Sequence, residues 1–176
     1  MKHKAIGFLL LLISIFLLSG CSKSTENANA LLRSRIDSLQ SHLEEVKENY
    51  KPELGEIMSD IQRHHGKLWF AGTNENWKLS QYEIHEIEEA FDKIEKFHRT
   101  HDEQPIAQLL PVMIMPAIDS TLKTIEQKSK KNFIKQFNIL TNSCNNCHKA
   151  THHEFNVIKR PDMPPVTNQE FTPIQP

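Results

Sequence analysis

Glycine is scarce in this 176-residue sequence, with only 5 in the chain. Sheets need turn glycines and β-branched alternation, so a sheet-based fold is not expected; recurrent Glu, Lys, Gln and Leu favour helices instead. Basic charge is not in excess either: 21 Lys+Arg stand against 22 Asp+Glu, a net charge of −1. That removes the electrostatic footprint of a nucleic-acid-binding protein. Cysteine numbers 3, odd and too few for a disulfide framework. Long apolar runs are missing apart from Ile6 to Leu18, which falls short of the about 20 residues of a membrane span. A hydrophobic content of 38% is still enough for one ordinary core.

The apolar run follows Lys2 and Lys4 and ends in Leu18-Ser19-Gly20-Cys21. A positive start, a short apolar core and small residues make a secretory signal peptide over residues 1–20. The four closing residues look like the lipobox of bacterial lipoproteins. That resemblance implies cleavage before Cys21 and acylation of its thiol. Ser22 in place of an aspartate implies the outer membrane, with the protein facing the periplasm. Two acyl chains suffice for stable attachment. The expected compartment is the bacterial cell envelope.

Residues 21–30 are small and polar and predict a tether. Leu32, Ile36, Leu39, Leu43, Val46 and Tyr50 then recur at spacings of 4 and 3, the pattern of a packed helix or short coiled coil over 31–50, either a stalk or a homodimer seam. Pro52 breaks the phase. Beyond it the spacing predicts four bundle helices within 53–156. The first carries Leu54, Ile57, Ile61 and Leu68 inward. The second opens on a capping box, Ser80 with Glu83, and carries Ile84, Ile87, Phe91, Ile94 and Phe97. Residues 102–116, with Pro105, Pro111 and Pro116, read as an apolar connector. Pro116 opens the third helix, with Ile118, Leu122 and Ile125 inward. The fourth starts near Ser129 and carries Phe133, Ile134, Phe137, Leu140, Cys144 and Cys147. The proline-rich residues 157–176 should run extended over the surface. The fold class is all-α: a four-helix bundle with an extra N-terminal helix and an extended tail.

The chemistry gathers in Cys144-Asn145-Asn146-Cys147-His148. C-x-x-C-H is the attachment pattern for c-type haem. Residues three apart share one helix face, so both thiols can form thioethers with one haem while His148 offers its imidazole to the iron. One such motif means one haem c per chain. A redox dithiol would be expected after a strand, and none precedes it. A zinc site would need a second ligand pair, for which His152 and His153 are the nearby residues.

A C-terminal C-x-x-C-H on the last of four helices resembles the class II cytochromes, the cytochrome c′ group, over roughly residues 53–156. The resemblance implies haem carried by the fourth helix, with the first bundle helix on the distal side and a methionine ligand there in low-spin members. The stretch Met58 to Leu68 is similar to that helix. Two features depart from the group. Thr151 and His152 stand where gas-binding members place an aromatic-Arg pair, and the chain continues for 28 residues beyond His148.

Four residues can be the sixth ligand: Met58, His65, Met163 and, less favoured, His64. Taking about 100° per residue, Met58, His64 and His65 all lie within about 60° of Ile61 on the buried stripe. Met58 and His65 are about 10.5 Å apart along the axis and cannot share one iron. Met163 could reach the far haem face from the tail, and an open sixth position is a further outcome. His152 would meet only a haem edge. Trp69 and Trp77 read as packing residues, and the acidic run Glu83 to Glu89 as a solvated helix face. The expected function is electron transfer with periplasmic or membrane redox proteins, a carrier rather than an enzyme. Alternatives are capture of NO or CO by a five-coordinate haem, and peroxide turnover with His64 or His65 as acid–base group.

Overall fold

Pro52, which has no amide hydrogen to continue a helix, lies at the division of the chain into two units, Met1–Lys51 and Pro52–Pro176. The computed structural model describes the backbone of residues 2–174 and the side chains of residues 25–174. The side chains of the expected signal peptide and of Cys21 lie outside the described residues. Among the described residues the fold is all-helical, with six α-helices and no strand. Nor is any described helix long and apolar enough to cross a membrane.

The first unit is one helix, α1 (Lys2–Asn49). It runs straight through residues 21–30, where the composition predicts a tether. That stretch contains neither proline nor, after Gly20, any glycine, so nothing in it stops a helix. The apolar residues Leu32, Ile36, Leu39, Leu43 and Val46 are all more than half exposed on this helix.

The second unit contains α2 (Leu54–Thr73), α3 (Trp77–Phe97), α4 (Ile106–Met113), α5 (Met115–Glu126) and α6 (Lys130–Ala150). The packing runs around a ring: α2 on α3, α3 on α5, α5 on α6 and α6 back on α2, with the short α4 against α3, α5 and α6. The period-3.6 stripes meet at its centre. Ile57, Ile61, Leu68, Ile84, Ile87, Phe91, Ile94, Ile118, Ile125, Phe133, Phe137 and Leu140 are all buried in one cluster, each contributing about 1.5–3 kcal/mol on burial. Gly72 lets α2 approach α6, since a Cβ there would lie 2.1 Å from the Phe133 ring.

Four local expectations are corrected. The cap of α3 is Asn76, whose side chain accepts the Leu79 amide hydrogen. Ser80 lies inside the helix, its hydroxyl donating to the Asn76 carbonyl. Glu83 is fully buried instead of solvated. It sits four residues before Ile87, on the buried stripe, and its carboxylate meets His64 Nδ1 at 2.6 Å and Lys67 Nζ at 2.7 Å. The connector is largely helical as α4, with Pro111 inside it. Phe97 is only half-buried, and His98, the C-cap residue, turns inward, its Nε2–H donating to the Pro52 carbonyl at 2.7 Å.

After α6 the chain has no helix as far as residue 174, yet it is well anchored. It runs along α2: Arg160 lies over the Trp69 ring, Pro165 covers Gly66, and Phe171 packs on Phe70. Phe171 is buried, a contact that nothing in its proline-rich surroundings signals.

Candidate functional site

The α2–α6 contact places Met58, Ile61 and His65 opposite Cys144, Cys147 and His148. These six residues line one cavity of about 180 Å3, with Phe91 of α3, Ile114 and the tail residue Ile158 completing an apolar wall. A second cavity of about 240 Å3 adjoins it and shares Gly55, Met58, Cys147, His148 and Asn156. Three-residue spacing on α6 puts both thiols on the cavity side, as expected. Both are free. Burial pushes the Cys144 thiol up to about 12 and raises that of Cys147 as well. Neither is therefore an activated thiolate at neutral pH.

His148 is half-buried. Its Nδ1–H donates to the Asn156 carbonyl at 2.7 Å, which leaves the lone pair on Nε2. A histidine held in this way by a main-chain carbonyl is pre-set as a metal ligand. The tail segment that supplies this carbonyl is itself pinned by the motif: Asn145 Nδ2 donates to the Ile158 carbonyl and Asn145 Oδ1 accepts the Ile158 amide hydrogen, both at 2.8 Å. The first variable residue of C-x-x-C-H thus closes the tail over the cavity, a role its identity did not announce.

His65 is buried and stacked on Phe137, ring centroids 4.4 Å apart. Its Nε2 lies 2.8 Å from the Thr141 hydroxyl. The Thr141 hydrogen is already donated to the Phe137 carbonyl, so Nε2 must carry the proton of this pair. Burial lowers the imidazole to about 4, which keeps it neutral at physiological pH. His64 turns to Glu83 and lines neither cavity. Met58 is partly buried and lines both.

Met163 is 75% exposed and lines an adjoining groove that shares Ser59, Gln62, His65 and Ile158 with the first cavity but lacks Cys144, Cys147 and His148. The Asn145–Ile158 clamp holds the tail on that side, so Met163 is not brought into the His148 cavity. His152 is exposed, its backbone at φ 61, and lines neither cavity. Trp69 packs on Phe137 and Trp77 on Phe133, in keeping with structural roles.

The donor set fits a covalently attached haem: two protonated thiols and a tautomer-fixed imidazole face one apolar cleft. Compared with known proteins, the chain matches no family model, no curated protein and no solved structure.

Proposed function

We propose that this chain is a monohaem c-type cytochrome, held at the bacterial cell envelope by a lipid on Cys21 and exchanging single electrons with periplasmic or membrane redox proteins. One observation carries the reading: Cys144, Cys147 and His148 converge on a single apolar cavity, with His148 Nδ1 tied to the Asn156 carbonyl. Haem c would supply a reversible one-electron change at its iron. Cys144 and Cys147 would hold it by adding their S–H groups across its two vinyl substituents. Their burial suits this better than a thiolate redox pair, which needs a depressed pKa.

His148 would bind the iron through Nε2. Met58 would be the second side chain to hold the iron, since its thioether needs no hydrogen-bond partner and lines both cavities. His65 has committed its Nε2 hydrogen to Thr141, and His64 its Nδ1 to Glu83. His64 lines neither cavity, and burial makes His65 a weak base, lowered to about 4, which favours a carrier over a peroxide-turning enzyme. The all-helical fold is compatible with a class II, cytochrome c′-like bundle. A dimer seam along α1 and an outer-membrane location facing the periplasm belong to the same proposal.

The test is to make the full-length protein in a host with the haem maturation machinery and record optical and EPR spectra with and without CO. A haem that survives denaturation on the chain, with low-spin iron indifferent to CO, is the expected result. A chain carrying no covalent haem would overturn the reading, and high-spin iron that binds CO readily would replace electron transfer with gas capture.

A further inference from the structure

Three further side chains, from distant parts of the chain, meet at the rim of the second cavity, which Cys147 and His148 also line. His101 and Asp102 come from the turn between α3 and α4, and His153 follows the end of α6. Asp102 Oδ2 lies 3.6 Å from His101 Nε2 and 4.0 Å from His153 Nε2. The three atoms all fall within 4.8 Å of one another. These separations are too long for hydrogen bonds. They approach the about 3.3 Å edge of a tetrahedron whose bonds to a metal are about 2.0–2.1 Å.

The tautomer agrees. His153 Nδ1–H donates to the Thr151 carbonyl at 2.6 Å, which leaves the Nε2 lone pair on the side of Asp102. The turn is also built to present the carboxylate. His101 and Gln104 exchange both main-chain hydrogen bonds, at 3.0 and 2.9 Å. Asp102 and Glu103 between them have φ of 46° and 65°. Such a turn ordinarily takes Asn-Gly, and here it takes two acidic residues without a glycine.

We infer that His101, Asp102 and His153 form a binding site for a borderline divalent cation of the zinc class, distinct from the His148 centre. Two imidazoles and one carboxylate select such ions over magnesium or calcium, which want oxygen ligands throughout. Three protein ligands leave at least one position for water. Because His101 and His153 both wall the second cavity, a bound ion would cross-link the α3–α4 turn to the segment leaving α6 and stiffen that wall. The inference does not depend on haem.

The experiment measures Zn2+ binding to the full-length chain, prepared with and without covalent haem, by competition against a chromophoric chelator and by metal analysis. One Zn2+ per chain is expected in both preparations, and also in Cys144→Ser/Cys147→Ser. His101→Ala and His153→Ala should each weaken it by at least about tenfold. Asp102→Asn, a conservative change at an exposed turn, guards against misfolding: it should also lower affinity, and it should abolish the Zn2+-induced rise in Tm. Unchanged affinity in Asp102→Asn and in the histidine variants would overturn the inference. So would zinc that binds only when Cys144 and Cys147 are free thiols. Neither result would touch the haem reading, which stands or falls on covalent haem.

Discussion

His148 donates its Nδ1 hydrogen to the Asn156 carbonyl across 2.7 Å, and Asn145 of the same motif holds the Ile158 main chain two residues further on. The motif therefore organises the tail, and the tail in turn orients the imidazole. Asn145→Ala removes two hydrogen bonds, a loss of about 1–3 kcal/mol. Urea denaturation should show that loss, and tryptic cleavage after Lys159 should accelerate as the tail lifts. Cleavage at the parent rate would mean that Asn145 does not hold the tail.

Met58 is the test of the distal side. Met58→Ala in the haem-loaded protein should convert low-spin to high-spin iron and create CO binding, read by EPR and optical spectroscopy. If both the parent and the variant ignore CO, a different residue fills that position.

The buried His65 makes stability pH-dependent. Its imidazole titrates at about 4 in the folded protein and near 6.5 when unfolded. Between those values the unfolded chain binds the extra proton, so stability falls as pH drops from about 6.5 to about 4. The full loss is on the order of 3 kcal/mol, and above pH 6.5 this residue contributes no slope. Urea midpoints between pH 4 and 7 should follow this trend, and His65→Leu should flatten it.

Glu83 joins α2 to α3 through His64 and Lys67. Removing the carboxylate strands two donors at a buried position, and Glu83→Ala should cost about 3–5 kcal/mol by chemical denaturation. A loss below about 1 kcal/mol would mean that water reaches the pair.

Gly72 is needed for closeness, since an alanine Cβ would sit 2.1 Å from two Phe133 ring carbons. Gly72→Ala should destabilise by about 1–3 kcal/mol, despite the better helix propensity of alanine. An unchanged Tm would refute this.

Much of the core could be read from the sequence because a helix repeats about every 3.6 residues. Ile57, Ile61 and Leu68, or Phe133, Phe137 and Leu140, need only that period to fall on one face, and all are buried. Cys144, Cys147 and His148 line one cavity for the same reason, since spacings of three and four set a shared face. Glu83 has the charge of a solvated face and the phase of a buried one, and the phase decides its place. What could not be read is what depends on distance along the chain. Thr141 lies 76 residues from the His65 it supports, and no local pattern links Asp102 to His153. Phe171 sits among prolines, where periodicity says nothing. On α1 the period is perfect, yet Leu39 is 68% exposed; a stripe announces a partner without supplying one.

The order of contacts around the ring bears on how the cleft closes. The α2–α3 and α5–α6 pairs are neighbours in sequence, so each can zip up at a small loop-closure cost. The cavity is enclosed only when the first helix of the unit meets the last, the most non-local contact and the slowest kind to form. A chain with both hairpins made but not yet joined still presents Cys144, Cys147 and His148 on an open face. On the proposed reading, haem would be attached while that face is open, and the segment from Asn156 onward would close over it afterwards.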